Sequence, residues 1–549
     1  MPNALAFIAL FGWPIVVFVL FRRLSRPHAI VWSVLGGYLL LPTGTGVDLP
    51  LLPRMDKILL PSLIAALLCM LGLGASRALR RRPPPRRRLE RAPQPPEETA
   101  VEAEPFVPNG WLPPSLIGKA LIIAFIFTPF ASVFTNETPL TYGPTFIKAL
   151  ELYDGFSFAL TQAVVILPFL LGHRYLGGED GQRAVLFGFV IGAVAYSAPM
   201  LAEIRFSPQL HTWVYGYFPH SFEQQVRGGG YRPVVFLKHG LAVAIFVAMA
   251  LIAAAALWRE ASGALRTRLA MATAWFAILL VLCKSLGALV LGLPLAIAAR
   301  VVNRRLALTG AALIAGAVLA YPMLRGADIV PTSALLSAAN SVNEERADSL
   351  QTRLTNEDQL LARANLKPTF GWGGWGRSRV YDPVTGKDLT VADGRWIIVI
   401  GSGGWIGYLG EYGLLFLPVL ALAAGYRRMR PSTATVGLAV MLAANVVDLI
   451  PNSSLTPVTW LLAGALFGRL SRERRQAGRR TARRTERRVD RRGGAGAPRR
   501  PDAGGVSVGG GGVGVGGRAT GLRPTAAGES ATLGRAAPRW TRNRPEANR

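Results

Sequence analysis

Cysteine and histidine are scarce in this chain: two cysteines and five histidines in 549 residues. Cys69 and Cys283 each lie inside an apolar run with no CxxC or metal-ligand spacing, so a disulfide framework and a zinc site are both excluded. A Walker A loop, an HExxH helix and a DxD on the loops assigned below to the cytoplasm are missing too. ATP hydrolysis, zinc proteolysis and nucleotide-sugar transfer thus lack their usual signatures, and neither a metal nor a cofactor is expected. Acidic residues are also few, 32 against 61 lysines and arginines, giving a formal charge of +29. That excess is concentrated: residues 77–91 hold eight arginines against one acid, and residues 471–549 hold twenty against six. Neither segment interleaves aromatics with arginine as a base-stacking surface would, and both adjoin apolar runs. They read as cytoplasmic flanks of membrane spans attracted to anionic lipid, not as a nucleic-acid site.

What the chain has in abundance is long apolar runs, within a composition that is 51% hydrophobic and 17% charged. A span needs roughly 20 apolar residues to cross about 30 Å of hydrocarbon. Runs of that character fall near 4–21, 29–41, 58–75, 116–134, 155–172, 184–201 and 234–257. Six more fall near 269–283, 286–299, 306–322, 396–424, 434–450 and 456–470. The fold class expected is an all-α polytopic transmembrane bundle of 12–14 spans occupying residues 1–470, and the first run reads as a span, not a signal peptide. Residues 76–115 read as an Arg/Pro-rich cytoplasmic linker, and 471–549 as a disordered Arg/Gly/Ala-rich cytoplasmic tail.

Thirteen spans place the two termini on opposite sides. The Arg/Lys-rich connections all fall on one side, which the positive-inside rule makes the cytoplasm, so the N-terminus is expected outside. The outer side then receives the largest connection, residues 323–395. In it Ser341 and Glu344 read as a capping box, and Val342, Leu350, Leu354, Leu360 and Leu361 as the apolar face of a helix.

Ionisable groups near membrane depth ask for a partner or a task. Lys238, His239, Lys284 and Asp448 fall at the outer ends of their spans, on the same side as the long loop. Arg227-Gly228-Gly229-Gly230-Tyr231-Arg232 sets two guanidinium forks around flexible backbone, which suits an anionic group such as a diphosphate, or simply places cations at headgroup level. The loop adds Arg346, Arg353, Arg363, Arg377 and Arg379, with Glu357 and Asp358 between them and Asp393 at its end. Trp372 and Trp375 alternate with glycines and suit either sugar-ring stacking or anchoring at the interface.

Three pieces of sequence together resemble the bacterial O-antigen polymerase and ligase superfamily. They are Arg232-Pro233 to His239-Gly240, Cys283-Lys284-Ser285-Leu286-Gly287-Ala288-Leu289, and the loop from Arg353 to Glu411-Tyr412-Gly413-Leu414-Leu415. The resemblance implies a multi-pass protein of the bacterial inner membrane. It also implies metal-independent transfer of a glycan from a polyprenyl-diphosphate carrier to an acceptor hydroxyl on the outer face. It makes Arg232 and Arg353 the first diphosphate contacts, with Arg227, Arg363 and Arg377 behind them. The family's ligases place a His-Asn-like pair where this chain has Asp393-Gly394, and His28, His173, His211, His220 and His239 all lie outside the loop. Asp358, Asp393 and His239 are therefore the candidate bases. A lipid-linked oligosaccharide flippase or transporter and a noncatalytic membrane scaffold are the competing readings.

Overall fold

The computed structural model describes residues 1–73, 108–227, 229–341, 344–453 and 455–493, without the side chains of 345, 346 and those beyond 476. Most of the Arg/Pro-rich linker and the tail from 494 onward lie outside the described residues. The compact unit is Met1–Arg484; of the second, Thr485–Arg549, only a helical start is described.

The chain is a helical bundle. In order it runs through α1 (Ala4–Arg23), α2 (Arg26–Leu40), α3 (Leu60–Met70), α4 (Leu116–Phe134), α5 (Leu152–Val165), α6 (Leu167–Tyr175), α7 (Glu179–Phe206) and α8 (Leu210–Tyr215). It continues through α9 (Gly240–Glu260), α10 (Gly263–Leu282), α11 (Leu286–Val301), α12 (Arg304–Gly326), α13 (Thr332–Asn340) and α14 (Glu344–Asn365). It closes with α15 (Arg395–Ala424), α16 (Tyr426–Met429), α17 (Thr433–Val447) and α18 (Pro457–Gly493).

Among the described residues, eight helices are long and apolar enough to cross a membrane: α1, α4, the pair α5 and α6 counted together, α7, α9, α10, α12 and α15. All thirteen apolar runs fall on helices, but five do not make a full span by this measure. Three of the five are the shorter apolar helices α3, α11 and α17, and the other two lie in α2 and α18. Proline sets one internal break, since Pro168 opens α6 where α5 stops.

The centre of the bundle is α9, against which α7, α10, α11 and α17 pack. Its run Ala253 to Ala256 is at most 2% exposed, and small side chains let the axes approach closely. A Cβ added at Gly292 of α11 would lie 2.8 Å from the Cβ of Ala248. Arginines collect at one end: Arg183 pairs with Glu260 at 2.9 Å, Arg259 donates to the Val302 carbonyl, and Arg300 stands 4.3 Å over the Trp258 ring. The N-terminus lies at the other end, where Asn3 bonds the carbonyls of Val214 and Tyr215 beyond the C-terminus of α7.

Three details differ from the sequence reading. Ser341 does not open α14 as a capping box; it ends α13, its hydroxyl donating back to the Ala338 carbonyl at 2.9 Å. The helix expected to stop at 470 runs on to Gly493, because arginine is a good helix former and Arg469 pairs with Glu473 one turn on at 2.7 Å. Short hairpins also decorate the loops: β1 (Gly46–Leu49) with β2 (Leu52–Asp56), β3 (Leu140–Tyr142) with β4 (Thr145–Ile147), and β5 (Val226–Arg227) with β6 (Gly230–Tyr231).

Candidate functional site

At the end of the bundle opposite the arginines, a cavity of about 1210 Å³ lies between the start of α9, the α10–α11 junction, α14, the start of α15 and the end of α17. Its walls are largely aliphatic, among them Leu241, Ile245, Leu280, Leu289 and Ile397. Its charged lining comprises Arg227, Arg232, Lys284, Arg353, Glu357, Asp393 and Asp448. Five of these seven, Arg232, Lys284, Arg353, Glu357 and Asp393, come from the three segments singled out in the sequence, Arg227 from just before the first of them and Asp448 from the end of α17.

Local folding explains the basic side. Val226–Arg227 and Gly230–Tyr231 pair as a hairpin, and the Arg232 amide then bonds the Gln225 carbonyl at 2.8 Å, directing the chain toward α9. Lys284 occupies the kink between α10 and α11 with φ +50°, which exposes its carbonyl to the Arg232 Nε and Nη2 at 3.2 and 3.0 Å. The Lys284 Nζ donates in return to the Arg227 carbonyl at 3.0 Å. Gly230 lets that ammonium come close: a Cβ there would lie 2.5 Å from it and would move the end of the lysine aside.

On the facing wall, Leu350, Arg353, Leu354, Glu357 and Leu360 follow helical spacing on one stripe of α14. Arg353 pairs with Asp393 at 3.5 Å, both partly exposed, and reaches toward the Pro451 carbonyl at 3.4 Å. Asp448 accepts from the Asn452 amide at 2.7 Å. Glu357 accepts from the Tyr321 hydroxyl at 3.1 Å and the Trp396 indole at 3.4 Å. Burial is the largest influence on Glu357 and pushes its carboxyl above the usual range, against the pull of those donors and of Arg325.

Two of the three expected bases lie outside the cavity lining. Asp358 is the neighbour of Glu357 but sits off the stripe, paired at 2.6 Å with Arg325. His239 caps α9, its Nδ1 accepting from the Leu241 amide at 3.0 Å, with its ring edge-on to His220. Burial, reinforced by His220 and nearby cations, pulls the His239 imidazole down to about 4, leaving it neutral and weakly basic. Asp393 is the expected base that does line the cavity. Lys238 is exposed and is not part of the lining.

Arg363, Arg377 and the two tryptophans lie outside the lining of the first cavity, in a separate cluster. Arg377 is fully buried and donates to the carbonyls of Lys148 and Thr138 at 2.7 and 2.8 Å. Arg363 stacks 3.5 Å over Trp372 and donates to the Tyr142 hydroxyl at 2.8 Å, while the Trp372 indole returns a bond to the Arg363 carbonyl. These contacts clamp the long loop onto β3 and β4, and Trp372 is only 7% exposed. Trp375 differs: it is 57% exposed, donates to Asp154 at 3.0 Å and leans on Phe158.

The loop also enters a break in α15. Gly404 has φ +62° and ψ −165°, interrupting the helix where chain from the loop approaches. The freed groups are satisfied there: Trp372 and Gly373 amides bond the Gly401 and Ser402 carbonyls, and Trp405 and Ile406 amides bond those of Pro368 and Thr369. A Cβ at Gly371 would stand 2.6 Å from the Gly404 nitrogen, so only glycine admits this approach. Across the break, Arg395 on one side grips Glu411 on the other with two bonds of 2.7 and 2.5 Å. No family model, curated protein or solved structure matches the chain.

Proposed function

We propose that the chain is a glycan polymerase or ligase of the bacterial inner membrane, taking glycan from a polyprenyl-diphosphate carrier at the outer face. The observation that supports this is one cavity in which four cations, Arg227, Arg232, Lys284 and Arg353, border aliphatic walls of α9, α10 and α11. Such a lining suits an amphiphile whose head is a diphosphate and whose tail is a hydrocarbon. The bundle end that holds the cavity carries the N-terminus, and the arginine-rich end is the cytoplasmic one by the positive-inside rule.

In this reading, guanidinium forks at Arg232 and Arg353 hold the diphosphate oxygens and stabilise the charge that gathers there as the donor leaves. An acceptor hydroxyl oxygen forms a bond to the anomeric carbon from the opposite side. The bond from that carbon to the phosphate oxygen breaks, its electron pair stays on the carrier diphosphate, and the hydroxyl proton passes to the Asp393 carboxylate. Inversion at the anomeric carbon follows from a single displacement.

The test is transfer by membranes holding Arg232→Ala or Arg353→Ala, supplied with polyprenyl-diphosphate-linked glycan. Product formation should fall about 100-fold or more, the range for losing a charge-stabilising donor, while the amount of protein in the membrane is unchanged. Undiminished product from both variants refutes the assignment, and movement of the carrier-linked glycan across vesicles without covalent transfer would point to a flippase instead.

A further inference from the structure

A second cavity, of about 490 Å³, lies on the other side of the start of α15, between that helix, α4 and α5. The two cavities are close neighbours along the chain: Asp393, Ile397 and Asn452 line the first, and Arg395, Ile398 and Ser453 line the second. Their chemistry differs. Among the described residues, the charged groups lining the second are Arg395 and Glu411, and these neutralise each other through the paired bonds of 2.7 and 2.5 Å. The rest of the polar lining is neutral and rich in hydroxyls, with Thr128, Ser132, Thr161 and Ser402 each already donating to a backbone carbonyl and so presenting lone pairs.

Gln162 adds an amide, with no hydrogen-bond partner for its side chain among the described residues, and Arg395 keeps Nη1 outside its two bonds to Glu411. The lining therefore offers both donors and acceptors but no net charge. Aromatic surface stands beside it: Phe158 lines the cavity, and the exposed Trp375 packs on Phe158 at 5.7 Å, next to Gly373 and Gly374 of the rim.

We infer that this second cavity is a binding site for a neutral sugar, held by hydrogen bonds to Gln162, Arg395 and the hydroxyl ring and stacked on the Phe158–Trp375 surface. A neutral lining disfavours a phosphate, which suits the first cavity better, where four cations stand with three acids. A mixed donor and acceptor set suits hydroxyls, each of which gives one proton and accepts through two lone pairs. Taken with the proposed transfer reaction, on which this last step rests, the cavity would hold the acceptor chain beside Asp393.

The experiment measures binding of maltose, lactose, cellobiose and trehalose to the full-length protein in nanodiscs, by saturation-transfer NMR, without any donor lipid. At least one should bind saturably, and glucose 6-phosphate should not compete. Gln162→Leu, close in size to the native side chain, should weaken that binding roughly five-fold, as expected for a lost hydrogen bond, and Trp375→Ala by at least as much. Thermal unfolding of each variant checks that the fold is kept. Binding by none of the four sugars, or binding unaltered in both correctly folded variants, overturns the inference. Arg232→Ala should retain sugar binding while losing transfer, so failure of the donor assignment and failure of this one are read separately.

Discussion

Breaking the Arg395–Glu411 pair tests whether the interior of the bundle is as dry as the geometry implies. Glu411 is 2% exposed in its side chain and takes both of its bonds from Arg395, whose side chain is 28% exposed. Arg395→Met would leave a buried carboxylate with no cation, a change that costs about 3–5 kcal/mol in comparable sites. Glu411→Gln keeps one acceptor for a partly hydrated guanidinium, so the loss should be smaller, about 1.5–3 kcal/mol, the scale of a charge-assisted hydrogen bond. The double replacement Arg395→Met with Glu411→Leu removes both charges together and should recover most of the loss, ending within about 1.5 kcal/mol of the native protein. Backbone anchoring is unaffected in all three, since the Arg395 amide still bonds the Leu449 and Asn452 carbonyls. A double-mutant cycle on unfolding in detergent, read by size-exclusion of the fluorescent-tagged protein, gives the coupling. A double variant as unstable as Arg395→Met alone would refute the reasoning, because the penalty would then come from lost packing and not from an isolated charge.

Arg377→Lys and Arg377→Ala should both reduce the yield of folded protein, since one ammonium cannot reach both the Lys148 and Thr138 carbonyls as the guanidinium does; normal yield with reduced donor binding would return Arg377 to the substrate site. For His239, the folded imidazole sits near 4 and the unfolded one near 6.5. The unfolded state therefore binds the proton first, so stability should decline as pH falls from about 6.5 toward 4. His239→Asn, which can still cap α9, should flatten that decline in thermal melts between pH 7.5 and 4.5, and an unchanged slope would assign it to other groups.

The apolar runs were legible because hydrocarbon length and helix geometry leave little freedom, and each of them is helical. The basic half of the first cavity was legible for a related reason: Arg232 and Lys284 sit at span ends, where a charge is conspicuous. Glu357 was harder to see, although it follows Leu350 and Leu354 on the α14 stripe; Asp358 beside it looks equivalent until the helix phase is fixed. The buried cluster was not legible at all. Arg363 and Arg377 find Tyr142, Thr138 and Lys148 more than two hundred residues earlier, and a guanidinium bound for backbone carbonyls is written no differently from one bound for phosphate. The Gly143-Pro144 dipeptide was a turn signal for the β3–β4 hairpin, outweighed by the longer apolar patterns on either side. In the tail, arginine content suggested a solvated chain, yet the same residues propagate α18 to Gly493.

The seam between the long loop and the broken α15 restricts how a substrate can reach the first cavity. Lifting the loop at Pro368–Gly373 would strip four backbone hydrogen bonds at once, at about 1–3 kcal/mol for each group left buried and unpaired. That edge is a fixed doorpost. The opposite edge is α13, in which no residue is buried, although Leu335 contributes to the cavity wall. On the proposed function, a long hydrocarbon carrier would enter past α13, none of whose residues is buried, while the clamped side stays closed.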